Sequence, residues 1–127
     1  MESVLAFLCD KLEIRKDGLF DVTGGGISCL HFSQLPEERR ITLMVDVEYD
    51  PITESGEHII KIGIIDSDGK DKMPPKLLNA TFPQSQRFFD IAGDLYPIFD
   101  KYGMHSVEVA IDGHNILSLP LGIEQEI

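Results

Sequence analysis

Basic residues are scarce, cysteines are scarcer, and no long apolar run occurs. Each shortage narrows what the chain can do. Only 11 lysines and arginines stand against 22 aspartates and glutamates, a formal net charge of −11. Nucleic acid needs clustered Lys and Arg to neutralise phosphate, and anionic membranes draw polybasic segments. Neither is an expected partner. The pair Arg39-Arg40 and the trio Lys70, Lys72 and Lys76 are too sparse to reverse the balance. The two cysteines, Cys9 and Cys29, sit in apolar strand-like runs, Val4–Cys9 and Ile27–Phe32. Buried free thiols are the expectation there, since a disulfide needs an oxidising compartment. The run Val4–Cys9 has no basic n-region before it and falls far short of the roughly 18 apolar residues of a membrane span. A cytoplasmic protein is expected, and no motif implies a cofactor.

What remains reads as one all-β domain, residues 1–127. Apolar residues make up 43% and charged residues 26%, ordinary globular usage. Turn signals recur at short intervals, among them Asp17-Gly18, Gly24-Gly25-Gly26, Pro51, Asp68-Gly69, Pro74-Pro75 and Asp112-Gly113. Short strands between frequent turns predict an antiparallel two-sheet sandwich of about eight strands. The clearest strand is Arg40–Tyr49, where Ile41, Leu43, Val45, Val47 and Tyr49 alternate with Thr42, Met44, Asp46 and Glu48. A period of two places the first set on the core face and the acids on the solvent face. His58–Ile65 and Met104–Ile111 are patterned similarly, and Leu19–Val22, Ile27–Phe32 and Leu77–Phe82 more weakly. Asp112-Gly113 predicts a hairpin turn into Ile116–Leu121, because Asp and Gly tolerate positive φ. Pro120 gives no ladder donor, so that last strand is expected at an edge or a bulge. Arg87–Phe99 carries helical spacing, but Gly93 and Pro97 oppose it; a proline costs about 3 kcal/mol inside a helix. Strand, or strand plus loop, is the better reading.

Candidate chemistry is dispersed. Asp66, Asp68 and Asp71 resemble part of a calcium loop, since hard cations need several oxygens. Gly69 nevertheless falls at the fourth position rather than the sixth, and Lys70 intrudes. A solvated turn is the plainer reading. Gly24-Gly25-Gly26 leads into a strand, which makes it a turn and not a phosphate cradle. His31, His58, His105 and His114 lack metal-motif spacing. His58 and His105 each open a strand and form a possible polar site if the fold brings them together. Cys29 and His31 share one strand face, a geometry open to a Cys–His pair. Asp46 and Glu48 lie roughly 7 Å apart on one strand face, with Glu108 expected on a neighbouring strand. Acids on a strand's outer face ordinarily serve solubility.

Several motifs then line up in order. Ala6-Phe7-Leu8-Cys9-Asp10 precedes Gly18-Leu19-Phe20-Asp21-Val22-Thr23-Gly24-Gly25. Glu54-Ser55-Gly56-Glu57-His58 leads to Ile64-Ile65-Asp66-Ser67-Asp68-Gly69. The close runs through Tyr102-Gly103-Met104-His105, Val109-Ala110-Ile111-Asp112-Gly113 and Leu119-Pro120-Leu121. The set resembles a family of small bacterial domains of unknown function. The resemblance implies a compact β-sandwich, immunoglobulin- or C2-like, in the bacterial cytoplasm. It brings no catalytic residue. His105 departs from the aromatic residue common at that place in the family.

A non-catalytic binding or interaction module is the leading functional expectation. Its partner would be a protein, or a second copy, engaged through an exposed edge such as Ile116–Leu121. The alternatives are a small metal-dependent or His/Asp hydrolase using His58 or His105, and calcium or small-ligand binding at residues 66–71.

Overall fold

The computed structural model describes residues 1–127 and is all-β, without a helix. The strands in chain order are β1 (Glu2–Cys9), β2 (Lys11–Ile14), β3 (Phe20–Thr23), β4 (Cys29–Phe32), β5 (Glu37–Glu38), β6 (Ile41–Glu48), β7 (Gly56–Ile65), β8 (Lys76–Phe82), β9 (Phe88–Leu95), β10 (Ile98–Phe99), β11 (Gly103–Ile111) and β12 (His114–Gln125). These twelve strands fall into four sheets, a correction to the expected two sheets of about eight strands. A three-stranded sheet has the order β1-β6-β9, and a five-stranded sheet has the order β4-β12-β11-β7-β8. Two ribbons, β2-β3 and β10-β5, complete the set. The β4–β12 pairing is parallel; every other ladder is antiparallel.

The alternation in the sequence builds the core. Leu43, Val45 and Val47 of β6 and Ile91 and Leu95 of β9 meet Ile60, Ile62 and Ile64 of β7 and Val107, Val109 and Ile111 of β11 in one buried cluster. Each such side chain contributes about 1.5–3 kcal/mol on full burial. The sheets also meet at their seams. Phe82 of β8 stacks on Phe89 of β9 with ring centroids 4.4 Å apart. At the opposite seam, the Ser3 hydroxyl of β1 donates to the Ile116 carbonyl of β12 at 3.5 Å.

Residues 87–99 form strands: β9 pairs with β6 along its length, and β10 with β5. Asp112 and Gly113 make the predicted turn with φ of 52° and 83°. Gly24 combines a positive φ of 63° with a close approach: a Cβ there would fall 2.3 Å from an Asp10 carboxylate oxygen, so that side chain would have to shift.

Three expectations are refined. Ile116–Leu121 belongs to β12, which is interior in the strand order, yet this stretch pairs with β11 alone and keeps the open outer edge expected of it. Pro120 is tolerated because β4 pairs only with Gly122–Gln125. The Gly122 N–H points outward to Ser28. Residue 120 shares that parity, so its missing N–H faces a side without a strand partner. Second, Thr42 and Met44 of β6 are buried despite their outward parity; the Thr42 hydroxyl donates to Asp94 of β9 at 2.7 Å. Third, both thiols are free, but only Cys9 is buried; Cys29 is half-exposed.

Candidate functional site

His58 sits at the start of β7, beside the β11–β12 turn. Its Nδ1 lies 2.5 Å from an Asp112 carboxylate oxygen and its Nε2 lies 2.6 Å from the Glu54 carbonyl. Both partners accept hydrogen bonds, an arrangement that favours the doubly protonated ring. Burial opposes the charge, but the Asp112 carboxylate and the Glu54 carbonyl outweigh it and raise the His58 pKa. The Ile59 N–H and the His58 ring together lower that of Asp112. Beside this clasp opens a cavity of ≈430 Å³ lined by His58, Asp112, Glu57, Asn79 and Thr81 among others.

The clasp gives a testable pH dependence. Its His58 contribution is complete below the unfolded pKa of about 6.5 and is lost as pH rises through the higher folded value. The Asp112 contribution is present above about pH 3.9 and is lost as pH falls through the lower folded value. Asp112→Asn keeps the positive φ and the acceptor for Ile59. It is expected to cost about 1 kcal/mol at pH 6, allowing for solvent screening. By pH 9 the gap should shrink, as urea titrations at the two pH values will check.

His105 is not part of this site. β7 and β11 are antiparallel neighbours, with Ile60 opposite Ile111. His58 and His105 therefore lie toward opposite ends of the ladder, about 26 Å apart along it. His105 is buried against Phe99, its Nδ1 3.0 Å from the Gly103 carbonyl and its Nε2 without a partner.

The 66–71 loop is organised around an internal cation. Asp66, 4% exposed, receives the Asp68 and Lys70 N–H groups at 2.9 and 3.1 Å. The Lys72 ammonium reaches Asp66 at 2.8 Å and Asp100 at 2.8 Å. Lys72 is the main cause that holds the Asp66 carboxyl far below its usual range. Asp68 pairs instead with Lys101 at 2.7 Å, while Asp71 bridges to Ile65 through the backbone.

The acid pair across the three-stranded sheet is not the expected one. Glu108 lies in the other large sheet, so it does not neighbour Asp46 or Glu48. Asp90 of β9 faces Asp46 directly. Desolvation, reinforced by Asp90, pushes the Asp46 carboxyl up to about 6, and its Oδ1 is buried without a partner. A raised carboxyl favours folding below the unfolded pKa and loses that contribution as pH rises to the folded value. Asp46→Asn is therefore expected to stabilise the fold by about 1–2 kcal/mol at pH 8, with little effect at pH 4. Thermal melts at both pH values measure this.

On the outer face of the five-stranded sheet, Cys29 Sγ lies 4.0 Å from His31 Nε2, and His31 Nε2 lies 3.4 Å from a Glu124 oxygen. The first two share the face that the sequence placed them on. Glu124 was not visible as their neighbour, because it arrives through the parallel register that sets it beside His31. Further along this face, Gly63 of β7 and Ala110 of β11 leave a depression of ≈240 Å³, bordered by Lys61, Ile65, Asp71, Pro75, Glu108 and Asn115. Toward the β8 edge, Ile59 and Leu77 are exposed by 53% and 65%.

These features define an all-β protein with two larger sheets around one core and several polar clusters at strand ends and on outer sheet faces. The family model of DUF6941, a family of unknown function, matches residues 4–124, and the chain belongs to that family. No curated protein matches it in sequence. The fold is similar to part of a glycosyl hydrolase family 2 member from Bacteroides cellulosilyticus, with a TM-score of 0.56 and 11% identity. That match covers 68% of this chain and 12% of the hydrolase. It is also similar to part of Pseudomonas fluorescens alkylpurine DNA glycosylase AlkC, solved bound to DNA containing an abasic site analog. There the TM-score is 0.51 at 12% identity, over 94% of this chain and 30% of the glycosylase. This chain thus corresponds to a minor part of each of those proteins.

Proposed function

We propose that the chain is one domain, residues 1–127, that works as a non-catalytic binding module for a protein partner. The outer face of the five-stranded sheet takes the partner. The observation that carries this reading is the depression over Gly63 and Ala110 with exposed Ile59 and Leu77 beside it. Apolar side chains exposed beside a shaped hollow are features of interaction surfaces. The net charge of −11 favours a basic protein segment over a polyanion. The two larger sheets, with their shared core, act in this reading as the layers of an immunoglobulin- or C2-like sandwich. His58 and the Asp66–Lys72 pair hold the scaffold together, and Lys72 takes the place of a calcium ion beside Asp66.

The test compares the wild-type chain with an Ile59→Glu, Leu77→Glu double variant as baits in extracts of the native host, at low and high salt. Both positions are exposed, so the variant is expected to fold; far-UV circular dichroism verifies it. A partner retained by the wild type, released by salt and lost in the variant supports the proposal. Identical recovery by both baits overturns it, as does self-association that the variant leaves unchanged.

A further inference from the structure

Cys29, His31 and Glu124 carry a chemistry that the partner surface does not use. We propose that these three side chains form a binding site for a borderline-soft divalent metal ion, of which zinc is the type, on the outer face of the five-stranded sheet.

The strands place the ligands. In β4, Leu30 and Phe32 turn inward, so Cys29 and His31 turn outward at a spacing of two. The parallel pairing sets Gly122 beside Cys29 and Glu124 beside His31. Two adjacent strands thus offer a sulfur, a nitrogen and an oxygen, all within 4.8 Å of one another.

Those separations suit one tetrahedral ion. With Zn–S near 2.3 Å, Zn–N near 2.05 Å and Zn–O near 2.0 Å, the S···N and N···O edges should be about 3.6 Å and about 3.3 Å. The N···O edge is 3.4 Å and the S···N edge is 4.0 Å. Small side-chain rotations close the difference. The donor set also selects the class of metal: thiolate and imidazole favour zinc-like ions over calcium or magnesium, which require mainly oxygen.

The orientation distinguishes a metal site from a nucleophile. A Cys–His–acid relay needs the acid on one ring nitrogen and the thiol on the other. Here the thiol and the carboxylate both face Nε2. Three donors within 4.8 Å of one another, two of them facing the same ring nitrogen, fit a shared ion.

Gly122 borders the site, where a Cβ would make ordinary van der Waals contact 3.6 Å from Cys29 Sγ and 3.7 Å from the sulfur of Met104. His31 and Glu124 are 56% and 63% exposed, which leaves a fourth position for water. The expected affinity is accordingly below that of closed structural zinc sites.

The purified chain, reduced and freed of metal, is titrated with Zn(II) against a chromophoric chelator and with Co(II) read by absorption. One equivalent is expected to bind, with a thiolate-to-cobalt charge-transfer band and the visible bands of tetrahedral cobalt. Cys29→Ser should abolish the charge-transfer band. His31→Gln and Glu124→Gln should each weaken Zn(II) binding by about tenfold or more, while His114→Gln leaves it unchanged. The absence of stoichiometric binding at micromolar protein overturns the proposal. So does a charge-transfer band that survives Cys29→Ser, or a loss in His114→Gln equal to that in His31→Gln. Circular dichroism on each variant confirms that the fold is retained. None of these readouts depends on a protein partner, so this proposal and the binding-module reading stand or fall separately.

Discussion

Lys72→Met is expected to destabilise the fold by about 3 kcal/mol, because it leaves the buried Asp66 without its cation. The methionine keeps most of the stem's volume, so packing changes little. Asp66 retains its two backbone N–H donors, but an ionised carboxylate at 4% exposure loses the ammonium at 2.8 Å. The midpoint of thermal unfolding should fall by on the order of 10 °C for a chain of this size. An Asp66→Asn, Lys72→Met double variant should recover part of the loss, since the asparagine carbonyl still accepts the loop N–H groups and no charge is stranded. Urea denaturation of all four members of the cycle gives the coupling. Asp66 ionises far below its usual range in the folded state. The pair's contribution is therefore present above about pH 3.9 and is lost as pH falls towards the lower folded value. The gap between wild type and Lys72→Met should narrow on acidification.

Phe82→Ala is expected to cost about 4 kcal/mol, within the range for removing a buried aromatic ring. The ring lies at the seam of the two larger sheets. Its centroid is 4.9 Å from that of Tyr49, 4.5 Å from His58 and 4.4 Å from Phe89. Deleting it removes packing from both sheets and the floor beneath the His58 clasp. Phe82→Leu should cost considerably less, because most of the volume remains. Equal losses in the two variants would show that the seam depends on the stacked ring itself and not on the volume it fills. Equilibrium unfolding in urea compares them.

The strands were legible where local pattern decides them. Ile41, Leu43, Val45 and Val47 alternate because one face of β6 is core, and Asp112-Gly113 turns because both residues tolerate left-handed backbone. Even Gly93 and Pro97, which oppose a helix, read correctly. Strand partners were not legible, since pairing joins residues far apart in the chain. Asp46 meets Asp90 and not Glu108, because β6 pairs with β9 while β11 lies in the other large sheet. His58 and His105 share a local signature, but antiparallel pairing sends them to opposite ends. Lys72 read only as one of a sparse basic trio; its position next to Asp66 depends on the loop fold. Cys29 and His31 were visible as a pair at a spacing of two. Glu124 needed the β4–β12 register.

That register also predicts an order of folding. β7, β8, β11 and β12 join through two antiparallel hairpin-like connections and one longer return, so most of their sheet is expected to form from moderately local contacts. β4 joins β12 by closing a loop that spans most of the chain, and such closures are expected to be slow and late. The thiol–imidazole–carboxylate cluster is then expected to assemble with the last strand of its sheet. A metal-sensitive signal from Cys29 would time that closing step, and amide hydrogens on β4 should exchange sooner than those of the interior strand β11.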